Sequence, residues 1–546
     1  MASSRRWAVL VALVALGFPL AVKLSWWGLD RSPTAWDDSA HVDQSLQLYD
    51  ALRERGVPGL YRTFMHMGAA NGPLFPLQAL PFFALFGRSV ASAQLVNAAS
   101  LIVLSLYLLL LCRRFWPTPV GVMAVFLVGT SPLMYGLCTW YLREYSLATL
   151  VTMVAYHLVR SEDLRRRGQR LLVGVLLGLG LLHRQVFAFY VLPMYVAVVW
   201  TRLREQGGHG QGRWRIVADA ATPWLVACPL VAPWYWYNGR AAFTHAWSSW
   251  AGVISNYFGS RNVLSLAEIG GYLHELGTEV FSVWYLGLLG LAALGCLWGW
   301  RRSRLRLHEI VPPGIRLLLL AWWAPFLVLL FSVNKDPRFE APTIVPLAIV
   351  LAALLWGAAR SLRSGVVWVV ALLVPNTVLC AAVLFGWPIA DASLPPWLGH
   401  AAYAHRYSRT AWPHVELLRR ALALVPRDRR PVIVVVSDTL QLNANLLAMV
   451  ARLEKLDCEI AHSAWATPAY LRTLFDRADI VLRKDGDVSE NADVPNPGPS
   501  LFEAEFAGPV FSESPDPLAL PDGSYARIWR RRSDGGAGQP LAPTVQ

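Results

Sequence analysis

Asp37 and Asp38 stand side by side just after the first apolar segment, with Trp36 before them and His41 three residues after. Two neighbouring carboxylates can serve as a general base and a partner that shapes its pKa or holds a cation. A loop at a lipid boundary makes such tuning easy, because low-dielectric material is close. The plainer account is a solvated loop acid or a helix N-cap. Three more charged interruptions fall in otherwise apolar stretches: Arg143-Glu144 between Tyr141 and Tyr145, His183-Arg184, and Lys335-Asp336-Pro337-Arg338. Ionisable groups in such stretches are functional candidates by default. Their plainer accounts are helix-end charges, snorkelling side chains or a local ion pair in a turn. Three cations (Arg184, Lys335, Arg338) sharing one face with three acids (Asp37, Asp38, Glu144) suit group transfer. Acids would activate a hydroxyl nucleophile, and cations would stabilise a leaving phosphate. Surface helices at lipid level suggest that the phosphate is carried by a lipid.

Those residues need elements that bring them to one face. The chain has 546 residues, 55% hydrophobic and 16% charged, with 25 Trp. Its mean hydropathy of +0.39 is too high for an ordinary soluble chain of this size. Long apolar runs recur from residue 7 to residue 387, the pattern of a polytopic helical membrane protein. The net charge of +13 comes mostly from Arg clusters between apolar runs, which set orientation rather than bind nucleic acid. Of six Cys, only Cys458 lies in the tail, so no disulfide can form within it.

Basic ends at both limits of an apolar stretch require an even number of crossings. On that argument residues 118–159 cross twice, turning near 141–144. Residues 171–201 cross twice, turning at 183–185, and residues 314–359 cross twice, turning at 334–338. Single spans are expected at 7–27, 89–112, 216–237, 280–300 and 366–387, giving about eleven. Residues 28–88 form a first outer loop with a surface helix over Asp43–Arg55, and Trp234–Glu279 is expected as a second outer loop. The charged turns then share the face of Asp37-Asp38, and the arginine clusters share the other.

The remainder reads differently. Residues 431–436, 458–461 and 479–482 read as strands, and residues 440–456 and 468–477 as helices. Alternating β and α over about a hundred residues predicts a small extracytoplasmic α/β domain. The expected organisation is 1–387 transmembrane, 388–532 α/β with 495–523 as loop, and 533–546 disordered.

Four stretches carry a resemblance to the GT-C membrane glycosyltransferases, close to the protein O-mannosyltransferases and the aminoarabinose lipid A transferases. They are Trp36-Asp37-Asp38 with His41, Asn71-Gly72-Pro73-Leu74, Tyr141 to Leu147, and Asn334 to Phe339 with Pro342. Residues 7–387 are similar to that superfamily, and the tail more loosely. The resemblance implies a polyprenyl-phosphate sugar donor, a membrane lipid environment, and an acceptor glycan, lipid or protein on the outer face of the inner (cell) membrane. It implies Asp37 as the base, or as the acid that orients the acceptor, with Asp38 and Glu144 in support. It implies Arg184, Lys335 and Arg338 on the donor phosphate, and His41 and Arg143 on substrate. A divalent cation, magnesium or manganese, at Asp38 and Glu144 is the one cofactor it suggests. Asp38 where Glu is usual, His183-Arg184 where Thr-Lys is common, and Asn71-Gly72 in place of a Pro-Pro or His-Pro pair are departures. The competing function is a transporter or flippase of a lipid-linked or anionic substrate, which would place its charges mid-span, often within inverted repeats.

Overall fold

A computed structural model describes residues 2–34, 36–67, 72–205, 210–251, 263–302, 305–362, 365–388, 395, 403–426, 429–464, 466–486 and 496–532. The expectation of disorder over 533–546 lies outside these residues. The chain divides into two compact units. The first is Met1–Asp30 with Gln47–Tyr407, and the second is Arg31–Leu46 with Ser408–Gln546.

The first unit is helical. Every segment expected to span coincides with a helix or a bent pair of helices: α1 (Ala2–Leu29), α5 (Val90–Cys112), α6 (Thr118–Thr130) with α7 (Pro132–Thr139), α8 (Arg143–Arg160), α9 (Arg167–His183), α10 (Phe187–Glu205), α11 (Gly210–Ala251), α13 (Val283–Arg301), α15 (Pro313–Leu330), α16 (Ala341–Leu362) and α17 (Gly365–Phe385). Among the described residues, six helices are long and apolar enough to cross a membrane. The α6–α7 pair, bent by 60° where Pro132 follows Ser131, makes a seventh. The chain is a multi-pass membrane protein. α9, with 17 residues, is short for a span, as the tight spacing of 171–201 required. α8 carries Arg143, Glu144, His157 and Arg160, and nearly all of it is buried. Its polar groups are tolerated because neighbouring helices, not lipid, surround it.

Small residues let these helices approach. A Cβ on Gly174 of α9 would stand 2.6 Å from the Pro223 carbonyl oxygen of α11, and one on Gly178 would stand 2.8 Å from Leu230. Between α1 and α5 lie α2 (Trp36–His66), α3 (Leu74–Leu77) and α4 (Leu80–Phe86). α2 contains the expected surface helix and kinks at Gly56, where φ is +63°. Much of the expected loop Trp234–Glu279 is helical among the described residues. α11 runs on to Ala251, and α12 (Leu266–Glu275) continues into a π-helical turn, Leu276–Val280. The Trp- and Tyr-rich residues after Trp234 read as loop because their apolar spacing is irregular, yet they sustain a helix.

The second unit is α/β. Strands β1 (Val432–Val435), β2 (Glu459–His462), β3 (Ile480–Lys484), β4 (Phe511–Glu513), β5 (Leu518–Ala519) and β6 (Tyr525–Arg531) form one mixed sheet. Its order is β2-β1-β3-β6-β4, with β5 also on β6. β1 pairs in parallel with β2 and β3, and β6 pairs antiparallel with β3, β4 and β5. Helices Ala444–Leu453 and Pro468–Arg477 make the parallel crossovers. The stretch 495–523, expected as loop, instead holds a helical turn from Gly498, β4 and β5. The boundary falls at 407/408 rather than 387. Residues 403–407 bond to the first unit, where Trp140 donates to the Tyr403 carbonyl and Tyr407 N donates to Leu384 O at 3.2 Å.

Candidate functional site

Glu144 lies in the first turn of α8, one residue beyond the extended Leu142 that starts the helix. Its side chain is 2% exposed. Arg184 follows α9 directly in extended backbone, φ −164°, which turns its guanidinium toward α8. Arg184 Nη1 pairs with Glu144 Oε1. Arg338 lies on a 3-10 turn, Pro337–Glu340, whose first residue is fixed by Asp336: the Arg338 amide donates to Asp336 Oδ1 at 3.0 Å. Arg338 Nε stands 2.7 Å from Asp336 Oδ2 and 3.8 Å from Glu144 Oε1. The Tyr403 hydroxyl closes the group, donating to Asp336 Oδ1 at 2.6 Å. Tyr190 OH donates to the Phe339 carbonyl at 2.5 Å, and the Phe339 ring lies under Arg184 at 4.8 Å.

Arg143 is buried beside these residues, and its charge acts on both Glu144 and His183. His183 bonds through Nε2 with Ser146 and meets the edge of Phe75, which stacks on Tyr141 at 4.5 Å. The backbone of Gly72 presses on the end of α9: a Cβ there would sit 1.8 Å from the Leu182 carbonyl oxygen, so only glycine fits.

Three guanidinium groups (Arg143, Arg184, Arg338) gather around two carboxylates (Glu144, Asp336) in a largely buried place. Glu144 is closed off, while Arg184 and Arg338 keep 15% and 18% of their side chains exposed. An arginine pair with an open edge is suited to a phosphate, which accepts paired N–H bonds from guanidinium groups.

Lys335 is placed otherwise. Its Nζ donates to the Leu330 carbonyl at 2.7 Å and lies 5.0 Å over the Tyr272 ring, with Glu268 and Glu275 acting on it. Burial, then Glu279 and Asp336, pushes Glu275 up to about 7, and Lys335 opposes the shift. A carboxyl raised on folding holds its proton longer in the folded state. Its stabilising effect is therefore complete below the unfolded pKa and is lost as pH rises toward about 7. Thermal stability is expected to fall between about pH 5 and pH 7, with Glu275→Gln flattening that slope.

Asp37, Asp38 and His41 belong to the second unit. Both acids are in the first turn of α2, where the helix dipole favours an anion, and Asp37 is exposed while Asp38 and His41 are buried. The suggested divalent cation does not fit Glu144, because three guanidinium charges act on that carboxylate. No group of three metal-type ligands exists among the described residues.

The sequence pointed to the acids and cations but not to their supports. Asp336 entered only as a turn residue, and Tyr403 lay in the stretch assigned to the tail. Tyr272, Thr343 and the buried Glu340 they bond carried no motif.

A family model described as dolichyl-phosphate-mannose-protein mannosyltransferase matches residues 70–237, a stretch that includes Glu144 and Arg184. An undecaprenyl phosphate-alpha-4-amino-4-deoxy-L-arabinose arabinosyl transferase of Sodalis glossinidius is 28% identical over 294 residues, 52% of this chain and 47% of that protein. The match thus spans about half the length of that curated relative. The crystal structure of ArnT from Cupriavidus metallidurans bound to undecaprenyl phosphate aligns over 96% of this chain and 98% of its own, with a TM-score of 0.55 and 14% identity. Archaeal oligosaccharyltransferase AglB from Archaeoglobus fulgidus, in complex with an inhibitory peptide and a dolichol-phosphate, aligns over 97% of this chain and 75% of its own, with a TM-score of 0.54 and 10% identity. In its matching segment and in its fold, the chain is similar to these sugar-transferring membrane proteins.

Proposed function

We propose that the protein is a glycosyltransferase that moves a sugar from a polyprenyl-phosphate donor to an acceptor hydroxyl, with inversion, on the extracytoplasmic face of the inner membrane. The reading rests on the cluster of Arg143, Arg184 and Arg338 around Glu144 and Asp336, in which Arg184 and Arg338 stay partly exposed. Such a cluster would hold the donor phosphate in the ground state and stabilise it as it leaves. Asp37 takes the proton of the acceptor hydroxyl. The freed oxygen attacks the anomeric carbon, the bond from that carbon to the phosphate oxygen breaks, and the polyprenyl phosphate departs with the electron pair. The arginines accept the charge that develops, and one displacement inverts the anomeric centre. Glu144 keeps Arg184 and Arg338 aimed. Asp38 supports Asp37, and His41 and Arg143 serve the substrates.

The similar proteins support this chemistry, since their names and bound lipids are polyprenyl-phosphate compounds. A transporter would carry its charges in mid-span. Here Glu144 opens a helix, Arg184 follows one, and Asp336 precedes a turn. Mass-spectrometric comparison of cell-envelope glycans, lipids and glycoproteins with and without the gene tests the reading. A sugar lost from one acceptor class is expected, and an unchanged envelope contradicts it.

A further inference from the structure

The acidic pair is held by the C-terminal fold. Trp36 opens α2 at φ +30°, a value that residues with a Cβ rarely adopt. Such a conformation persists only where its surroundings enforce it. Residues on two elements of the second unit do so. The Trp36 indole Nε1 donates to Asp438 Oδ1 at 2.8 Å, and Asn445 Nδ2 donates to the Trp36 carbonyl at 3.3 Å. On the far side of the acids, Arg452 Nε meets Asp43 Oδ1 at 2.5 Å. The Thr34 hydroxyl reaches Met449 Sδ at 3.5 Å, and Ser39 Oγ donates back to the Thr34 carbonyl at 2.7 Å.

The supports are rigid. Asn445, Met449 and Arg452 fall at helical spacing on one face of Ala444–Leu453. That helix is capped by Asn443, whose side chain accepts from Leu446 N at 2.9 Å. Asp438 follows β1, the strand that lies between β2 and β3. Burial raises the Asp438 carboxyl, while the Trp36 bond and the charge of His462 draw it down. A mere tether would not need a strained residue next to an acid. Here the strained Trp36 adjoins Asp37, which stays exposed while Asp38 and Ser39 are buried.

We propose that the C-terminal α/β fold is a positioning device for the catalytic acid: Asp438, Asn445 and Arg452 fix the Trp36–Asp43 stretch in the conformation from which Asp37 removes the acceptor proton. This rests on the reading of Asp37 as base. Asp438 and Trp36 act through Asp37 and need not touch substrate. Supports of this kind typically contribute 10–100-fold, by keeping the working group oriented.

The test uses the full chain in vesicles loaded with donor lipid extracted from the producing cells. Sugar transfer and binding of undecaprenyl phosphate are measured separately. Asp438→Ala and Trp36→Phe are expected to slow transfer by about 10–100-fold while leaving undecaprenyl phosphate affinity unchanged. Asp438→Asn keeps an acceptor oxygen for the indole and is expected to recover most of the lost rate. If Asp438→Ala fails to fold, Trp36→Phe, which loses one N–H and keeps the ring, decides the matter alone. Wild-type transfer in Trp36→Phe and Asp438→Ala, beside an inactive Asp37→Asn, overturns the positioning role and leaves the base intact. Equal losses in Asp438→Asn and Asp438→Ala also overturn it. An active Asp37→Asn overturns the base assignment, and the positioning role with it.

Discussion

Replacing Asp37 by Asn is expected to abolish sugar transfer while the protein folds, inserts and binds undecaprenyl phosphate as before. The substitution conserves shape and removes the one atom set that can accept the acceptor proton. General-base contributions are commonly 10²–10⁴-fold, so residual transfer of about 1% or less is the expected reading. The side chain is exposed at a helix N-terminus, so its loss disturbs no packed core and stability should barely change. Asp38→Asn is the contrasting variant. That residue is 2% exposed, so it should cost stability as well as rate. Transfer by Asp37→Asn at near the wild-type rate would reject the base assignment.

Glu144→Gln is expected to be the most destabilising single change at the site. It removes the carboxylate on which Arg143, Arg184 and Arg338 all act. Removing one partner of a buried ion pair typically costs about 3–5 kcal/mol, because the other charge is stranded away from water. Thermal unfolding in detergent should show a clear drop, and transfer should fall as the two arginines lose their common anchor. Glu144→Asp keeps the charge but draws it back by one methylene, and should fall between the two. A Glu144→Gln protein as stable as wild type would mean that the arginines are neutralised by something other than this carboxylate.

The helical scaffold was legible because apolar runs and arginine clusters leave few ways to thread a membrane. The break in 171–201 was inferred from basic residues at both ends, and α9 and α10 do meet at Arg184. The parallel strands were legible too, since Val432–Val435 and Ile480-Val481-Leu482 are short apolar runs near charged residues. The antiparallel half was not. β4 and β5 have three and two residues, and they exist because β6 supplies their hydrogen bonds rather than through propensity of their own. β6 itself alternates, with Ala526 and Ile528 buried between exposed or half-buried neighbours.

At the site, residue types announced themselves but partners did not. Arg184 and Glu144 stood out as charges in apolar sequence. Nothing local to Asp336 announces a tyrosine 67 positions away, and nothing near Trp36 announces Asp438, 402 positions away. Contacts of that separation are set by the fold and leave no spacing to read. The same holds for Arg31–Leu46, which is continuous with the first outer loop yet packs with the C-terminal fold.

The claim that the arginine cluster receives a lipid-linked phosphate is tested most directly by equilibrium binding of undecaprenyl phosphate to the purified full chain. Wild-type protein should bind it saturably, and Arg184→Ala with Arg338→Ala should weaken binding by at least about tenfold, as expected for charge-assisted bonds worth about 1.5–3 kcal/mol each. Equal affinity in wild type and the double variant would contradict the account.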